Sequence, residues 1–461
     1  MASIVSTGIG SGLDIAGIVQ GLVAAEGQPV ELRIGQNEAK AQSKLSAFGS
    51  LKSALSDFRD KLDAMKSADT FLTRKAISAN EDVFTAIAGT GALPAQYDLE
   101  VVRLAQAQKL TSGAFADADA VVGTGTLSVA LGTATADIEI TAENNTLSGI
   151  RDAINDAIDN PGVSATIVNA DSGSYIILTA DKTGIANEIK VTQSGGDGGL
   201  SALEYDPGLG LNSLTESIAA QDALARIDGL DVASSNNSIE GAIQGVTLDL
   251  LASTQGATEK LTIENDESAA RGLVEDFVAS YNALVNTLDL LTDYDAETES
   301  AAPLLGDATV RSIRDQIRRE LSVTVNDIRA PFGTLAEIGI ETQLDGTLSI
   351  DDSQLSDVLA EDFVKFGQLF STTNGFATRL YDLADGLLKS DGIIETRSSG
   401  LQTQIDGLSD ERDSLNERLA SLETRLLRQF NALDSLLAQL GSTSNFLAQQ
   451  LQNLPGAERP A

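Results

Sequence analysis

LQTQIDGLSDERDSLNERLASLETRLLRQFNALDSLLAQL, residues 401–440, repeats its apolar positions at alternating spacings of four and three. The positions are Leu401, Ile405, Leu408, Arg412, Leu415, Leu419, Leu422, Leu426, Gln429, Leu433, Leu436 and Leu440, and only Arg412 and Gln429 interrupt them. A period of about 3.5 residues lays an apolar stripe along one side of a helix, which another helix must cover. At roughly 1.5 Å per residue such a helix runs about 60 Å, too long for one small globular core. Near the other terminus Phe48, Leu51, Leu55, Phe58, Leu62 and Met65 keep the same rhythm. The two ends read as partners and as assembly elements that contact other subunits, with a separate body between them; an intramolecular four-helix bundle is the alternative. Arg412 and Gln429 are polar interruptions of the kind that set register or oligomeric state.

Outward from these ends the texture changes. Residues 1–12 read as a flexible start. Residues 14–25 predict a short amphipathic helix, with Ile15, Ile18, Val19, Leu22 and Val23 on one side, interrupted by Gly27 and Pro29. Helical spacing resumes over 31–66. From about Ile77 two-residue alternation takes over, with strands expected at 97–101, 126–131, 137–140, 163–168, 175–179, 243–251 and 261–263. Residues 147–158 form a helical insert, and 195–199 (GGDGG) a loop. Helices return at 268, with Asp266 or Ser268 as N-cap, then at 308–321 and 357–370. Asp345-Gly346 predicts a hairpin turn.

The 461 residues allow two to four domains. Their net charge is −36, carried unevenly: +1 over residues 1–78, −21 over 79–267 and −16 over 268–461. So acidic a chain argues against nucleic acid and anionic membrane as partners, and makes the β-rich middle the solvent-facing part. Absence of His and Cys removes Ser-His-Asp and Cys-His triads and nearly all zinc and haem ligation. Aromatic residues at 4% with no Trp speak against a sugar-binding cleft. No basic n-region, long apolar h-region or span of roughly 20 apolar residues is visible, so the chain is expected to be cytoplasmic or exported without such a signal.

No motif carries catalysis. Gly8-Ile9-Gly10-Ser11-Gly12 lacks the preceding strand and the Gly-Lys-Ser/Thr ending of a phosphate loop. Asp117/Asp119, Asp228/Asp231 and Asp293/Asp295 do not fit the twelve-residue calcium loop and read as turns and caps. We expect no enzyme, no cofactor and no bound metal.

A set of short motifs, each weak alone, runs in order along nearly the whole chain. They are Gly10-Ser11-Gly12-Leu13-Asp14 with Leu22-Val23-Ala24-Ala25-Glu26, then residues 45–55 (LSAFGSLKSAL), 104–110 (LAQAQKL) and 220–250. Tyr281-Asn282, Leu305-Gly306-Asp307, Ile338-Gly339-Ile340 with Asp345-Gly346-Thr347-Leu348, and residues 428–434 (RQFNALD) with Ser442-Thr443-Ser444 follow. In these the chain resembles the flagellar filament cap proteins, also called hook-associated protein 2, of the FliD family. The resemblance implies a non-enzymatic cap at the distal tip of the bacterial flagellum, secreted by the flagellar type III pathway. It implies a homo-oligomeric ring (a pentamer) that helps flagellin fold and insert and prevents its loss. Further implied partners are the hook-filament junction protein and a type III export chaperone, with no nucleic acid and no membrane insertion. The rivals are another axial protein, flagellin or a hook-filament junction protein, and less so a surface adhesin or a carboxylate-based hydrolase.

The expected fold is α+β and multidomain, with helical coiled-coil termini and a helical leg flanking two nested β-rich domains. The coiled coil uses 1–40 and 401–461, the leg 41–78 and 268–400, the inner β domain 79–123 and 219–267, and the outer insertion 124–218. The expected assembly contacts are Leu13, Ile15, Ile18, Leu22, Leu415, Leu419, Leu422, Leu426, Phe430, Leu433, Leu437 and Leu440.

Overall fold

The computed structural model describes residues 12–326 and 332–452; apart from Gly12, the flexible start expected for 1–12 lies outside them. The fold is α+β and multidomain, with long terminal helices around a β-rich middle. The chain divides into two compact units, Asp69–Ala270 and the segments on either side of it.

Helix α1 spans Ile15–Met65 without a break, capped by Asp14, whose side chain accepts from Gly17 N–H. The interruption expected at Gly27 and Pro29 is therefore corrected. Pro29 removes one backbone bond and stays exposed, while Gly27 is buried. A Cβ at Gly27 would stand 2.5 Å from Leu419 Cδ1, so the glycine is where another helix comes closest. Contact along the helix outweighs local propensity, which is worth about 1 kcal/mol for Gly and about 3 for Pro.

The unit Asp69–Ala270 begins with β1 (Arg74–Ser78), β2 (Phe84–Ala88), β3 (Ala95–Arg103) and β4 (Ala107–Thr111). There follow β5 (Gly125–Leu131), β6 (Ala134–Ile140), helix α2 (Leu147–Asp156), β7 (Val163–Ala170), β8 (Gly173–Thr183) and β9 (Ile189–Ser194). Short strands β10 (Tyr205–Asp206), β11 (Leu211–Asn212) and β12 (Thr215–Ile218) lead to the return leg: β13 (Ala223–Ile227), β14 (Leu230–Ser234), β15 (Ser238–Ile243), β16 (Val246–Leu250) and β17 (Glu259–Asn265). The strand expected over 243–251 is two strands, because Gly245 turns the chain at φ 73°.

Two hydrophobic cores form here. Sheets β1-β17-β3-β13-β14 and β15-β16-β2 enclose one, with Phe84, Leu99, Val101, Leu248 and Leu261. Sheets β11-β10-β9-β5-β6 and β12-β4-β8-β7, with α2, enclose the other, with Leu127, Ile150, Ile176, Leu178 and Val191. The second core runs from Leu110 to Leu214, so it starts before the insertion expected at 124–218. Gln106 and Gln221 exchange both backbone bonds, at 2.8 and 3.1 Å, and close the neck between the two cores.

Helix α3 (Glu267–Thr292) leads at Arg271 into the other unit, which continues with α4 (Ala308–Ser322), α5 (Asp352–Glu361), α6 (Phe363–Ser371), α7 (Phe376–Leu388) and α8 (Ile393–Gln452). Asp266 is the N-cap of α3, accepting from Ala269 N–H. The single helix expected at 357–370 is two, because Asp362 ends α5 and caps α6. Phe48, Leu51, Leu55, Phe58, Leu62 and Met65 are all buried. Phe58 lies 6.1 Å from Phe277 and 6.0 Å from Tyr281. That N-terminal seam is thus the core of a helical body.

Candidate functional site

The front half of α1 and the long α8 form an antiparallel pair. Gly27 meets Leu419, and Ile34 packs with Leu408 and Leu415. Val30 and Leu419 pack against that cluster. Lys52 pairs with Glu395 at 2.8 Å, further back along both helices. The long C-terminal seam is therefore covered within one chain by the front half of α1, whereas Phe48 to Met65, the segment expected as its partner, packs with Phe277 and Tyr281. The buried positions Val19, Gly27, Ile34 and Ala41 recur every seven or eight residues, with Ile15 one turn ahead of them, as a coiled-coil seam requires.

The polar interruption at Arg412 has a local answer. Its Nε donates to Glu31 at 3.1 Å and its guanidinium also to Glu38; Arg33 pairs with Glu411 alongside. The Glu38 bond, then Glu31, raises the Arg412 pKa above its ordinary value. These side chains are substantially exposed, so they fix which residues meet more than they add stability.

The twelve expected contact residues fall into two sets. Ile15 and Leu415 are buried, and Leu419, Leu422, Leu426 and Phe430 are half-buried along the pair. Leu13, Ile18, Leu22, Leu433, Leu437 and Leu440 are exposed. Ile15 is thereby separated from Ile18 and Leu22, which were expected on the same side. Beyond Phe430 the exposed apolar set continues through Leu436, Phe446, Leu447 and Leu451. Val19, Gly27 and Ile34 were missed as contact residues, although their spacing signals them.

The short sequence motifs also find each other. Tyr281 donates its hydroxyl to Gly346 O at 3.0 Å. Asn282 accepts from Leu348 N–H at 2.7 Å and donates to its C=O at 2.8 Å. The Tyr-Asn pair therefore holds the Asp-Gly-Thr-Leu hairpin. Asp307 caps α4 through Thr309 N–H and binds Arg397 at 3.0 Å. Burial works against ionisation of Asp307, but Arg397 and Thr309 outweigh it and hold the carboxyl below its ordinary value.

Most residues of the acidic pairs sit in turns, but Asp231 lies in β14 and pairs with Arg226 at 2.8 Å. Asp117 accepts from Asp119 N–H, Asp295 accepts from Glu297 and Thr298, and Asp228 has φ 47° in the β13–β14 turn. Among the described residues no helix is long and apolar enough to cross a membrane.

The family described as flagellar hook-associated protein 2 matches through two models, its N-terminus over residues 11–108 and its C-terminus over 220–442. The A-type flagellar hook-associated protein 2 of Pseudomonas aeruginosa is 34% identical, covering 97% of each chain. Flagellar hook-associated protein 2 of Escherichia coli is 34% identical over 98% of this chain and 99% of that one. The crystal structure of the flagellar cap protein FliD D1-D2-D3 domains from Escherichia coli superposes with a TM-score of 0.67 at 34% identity, covering 77% of this chain and 99% of that one. With identity at that level over nearly its full length, this chain belongs to the flagellar hook-associated protein 2, or FliD, family.

Proposed function

We propose that this chain caps the distal end of a bacterial flagellar filament, where it promotes folding and insertion of exported flagellin and prevents its loss. The observation that carries this reading is the match, over nearly the whole chain, to proteins named as flagellar hook-associated protein 2. The likeness to a solved flagellar cap protein agrees with it. The role is structural and non-catalytic. Both family models describe the hook-associated protein, which does not favour the flagellin alternative.

Within that role each part takes a task. The α1–α8 pair is the terminal coiled coil; of its twelve expected contacts, Ile15 and Leu415 close the pair itself, and Leu13, Ile18, Leu22, Leu433, Leu437 and Leu440 stay open for assembly. The two β cores are an inner domain and an outer insertion. Copies close into a ring of five, joined to flagellin and at first to the hook-filament junction protein. An export chaperone holds the chain before passage through the type III channel. Complementation of a strain lacking its cap gene tests this. The chain should restore swimming and stop the release of unpolymerised flagellin; filaments that stay short while flagellin accumulates in the medium would refute it.

A further inference from the structure

Strand β7 is the edge of its sheet, paired among the described residues only with β8. Asp181 N–H donates to Gly162 O at 2.9 Å. Inward and outward backbone groups alternate along a strand, so those of Val163, Ala165, Ile167 and Asn169 point away from β8. Such a row is a template for another chain.

Two asparagines occupy half of it. Asn155, in the last turn of α2, accepts from Ala165 N–H at 2.8 Å and donates to Ala165 C=O at 2.9 Å. Asn160 accepts from Val163 N–H and donates to Val163 C=O, both at 2.9 Å. A carboxamide carries one acceptor and a donor in the geometry of a peptide group, so each asparagine stands in for one residue of a neighbouring strand. Among the described residues, nothing occupies the outward groups of Ile167 and Asn169. Two open residues are too short a template for stable pairing.

The same arrangement recurs. Asn237 brackets Ala105, with bonds of 2.7 and 3.2 Å, and Asn282 brackets Leu348 in the other unit. On β6, an edge strand of the other sheet around β7's core, Asn144 donates to Glu139 O at 3.3 Å, and Asp137 and Glu139 are exposed. Charges of one sign on an edge deter pairing.

We propose that Asn155 and Asn160 are edge guards, whose carboxamides close the β7 edge against strand addition by a second copy of this chain. Removing Asn155 lengthens the open row to Ala165, Ile167 and Asn169, enough for two copies to pair β7 to β7 antiparallel. This inference does not rest on the cap assignment.

The test uses the full chain with Asn155→Ala, and with Asn155→Asp as a milder opening that keeps the acceptor for Ala165 N–H and loses the donor. Light scattering gives particle mass against concentration, and hydrogen exchange reads the amides of Ile167 and Asn169. Both variants should form heavier, concentration-dependent species, Asn155→Ala more than Asn155→Asp. Exchange at Ile167 and Asn169 should slow as concentration rises. Adding Val168→Lys, which places a charge on the open stretch, should restore wild-type mass. Wild-type mass in both variants overturns the proposal. So does faster exchange throughout β7, the signature of loosened structure, or slow exchange at Ile167 already present in the wild type.

Discussion

At the scale of single residues, two helical glycines make opposite demands. Gly35 has open space where a Cβ would stand, whereas at Gly27 that Cβ would meet Leu419 at 2.5 Å. Gly35→Ala should therefore gain most of the helix-propensity difference, about 0.8–1 kcal/mol. Gly27→Ala should gain little or lose stability, and Gly27→Leu should separate α1 from α8. Thermal melts followed by circular dichroism rank them, and equal gains at both positions would contradict the close approach. Asp307 offers a pH-dependent case. Its folded-state pKa lies below the ordinary value, so its contribution is full above the unfolded carboxylate pKa of about 3.9 and is lost as pH falls through the folded value. Asp307→Ala should cost about 1–3 kcal/mol near neutral pH, from the lost cap and the unmade bond to Arg397. The difference from wild type should shrink in acid. A difference unchanged between neutral pH and the onset of acid unfolding would show that Asp307 acts only by shape.

At the scale of elements, the long seam was legible because Leu401 to Leu440 repeats in register over eleven intervals. The alternating runs in β3, β5 and β6 were legible for the same reason. Continuity of α1 was not. Gly27 and Pro29 signal a break locally, and the contact that overrides them comes from Leu419, almost four hundred residues away. Strands β13 and β14 went unread although Asp228-Gly229 is a strong hairpin signal. The division at Asp362 was lost because its apolar neighbours keep helical spacing on both sides. In the candidate site, the seam residues were legible, but which of them face outward was not, since two adjacent stripes on α1 differ by only a few positions. The pairing itself predicts an outcome. Deleting residues 401–461 uncovers Ile15, Val19 and Ile34, each worth roughly 1.5–3 kcal/mol of burial. The front half of α1 should melt with its partner, while Phe48 to Met65 hold through Phe277 and Tyr281. Circular dichroism should thus lose more helix than the deleted residues account for. A loss limited to the deleted residues would mean that α1 stands alone. Truncation after Ala432 should leave the paired part intact.

At the scale of the whole molecule, the cut that respects the outer core joins Gln106 to Gln221, which already exchange backbone bonds. Excising 107–220 removes that core entire, Leu110 and Leu214 included. The remainder should keep one cooperative melt per unit, whereas excising 124–218 removes β12 and β8, strands their partner β4 and should broaden it. A broadened melt after the 107–220 excision would show that the inner core depends on the outer one. The terminal apolar residues Leu433 and Leu437 are exposed in an acidic protein. Burial of large apolar side chains contributes roughly 1.5–3 kcal/mol each, against about 0–1 kcal/mol for exposed charge pairs. Attachment to the filament end should then rest on Leu433 and Leu437 and depend weakly on salt. The most direct measurement is flagellin released into the medium by a cap-deficient strain carrying each variant. Leu433→Ser with Leu437→Ser should release flagellin and shorten filaments, and Asp137→Lys with Glu139→Lys on the β face should behave like wild type. Release from the β-face variant with the apolar variant silent would contradict the account.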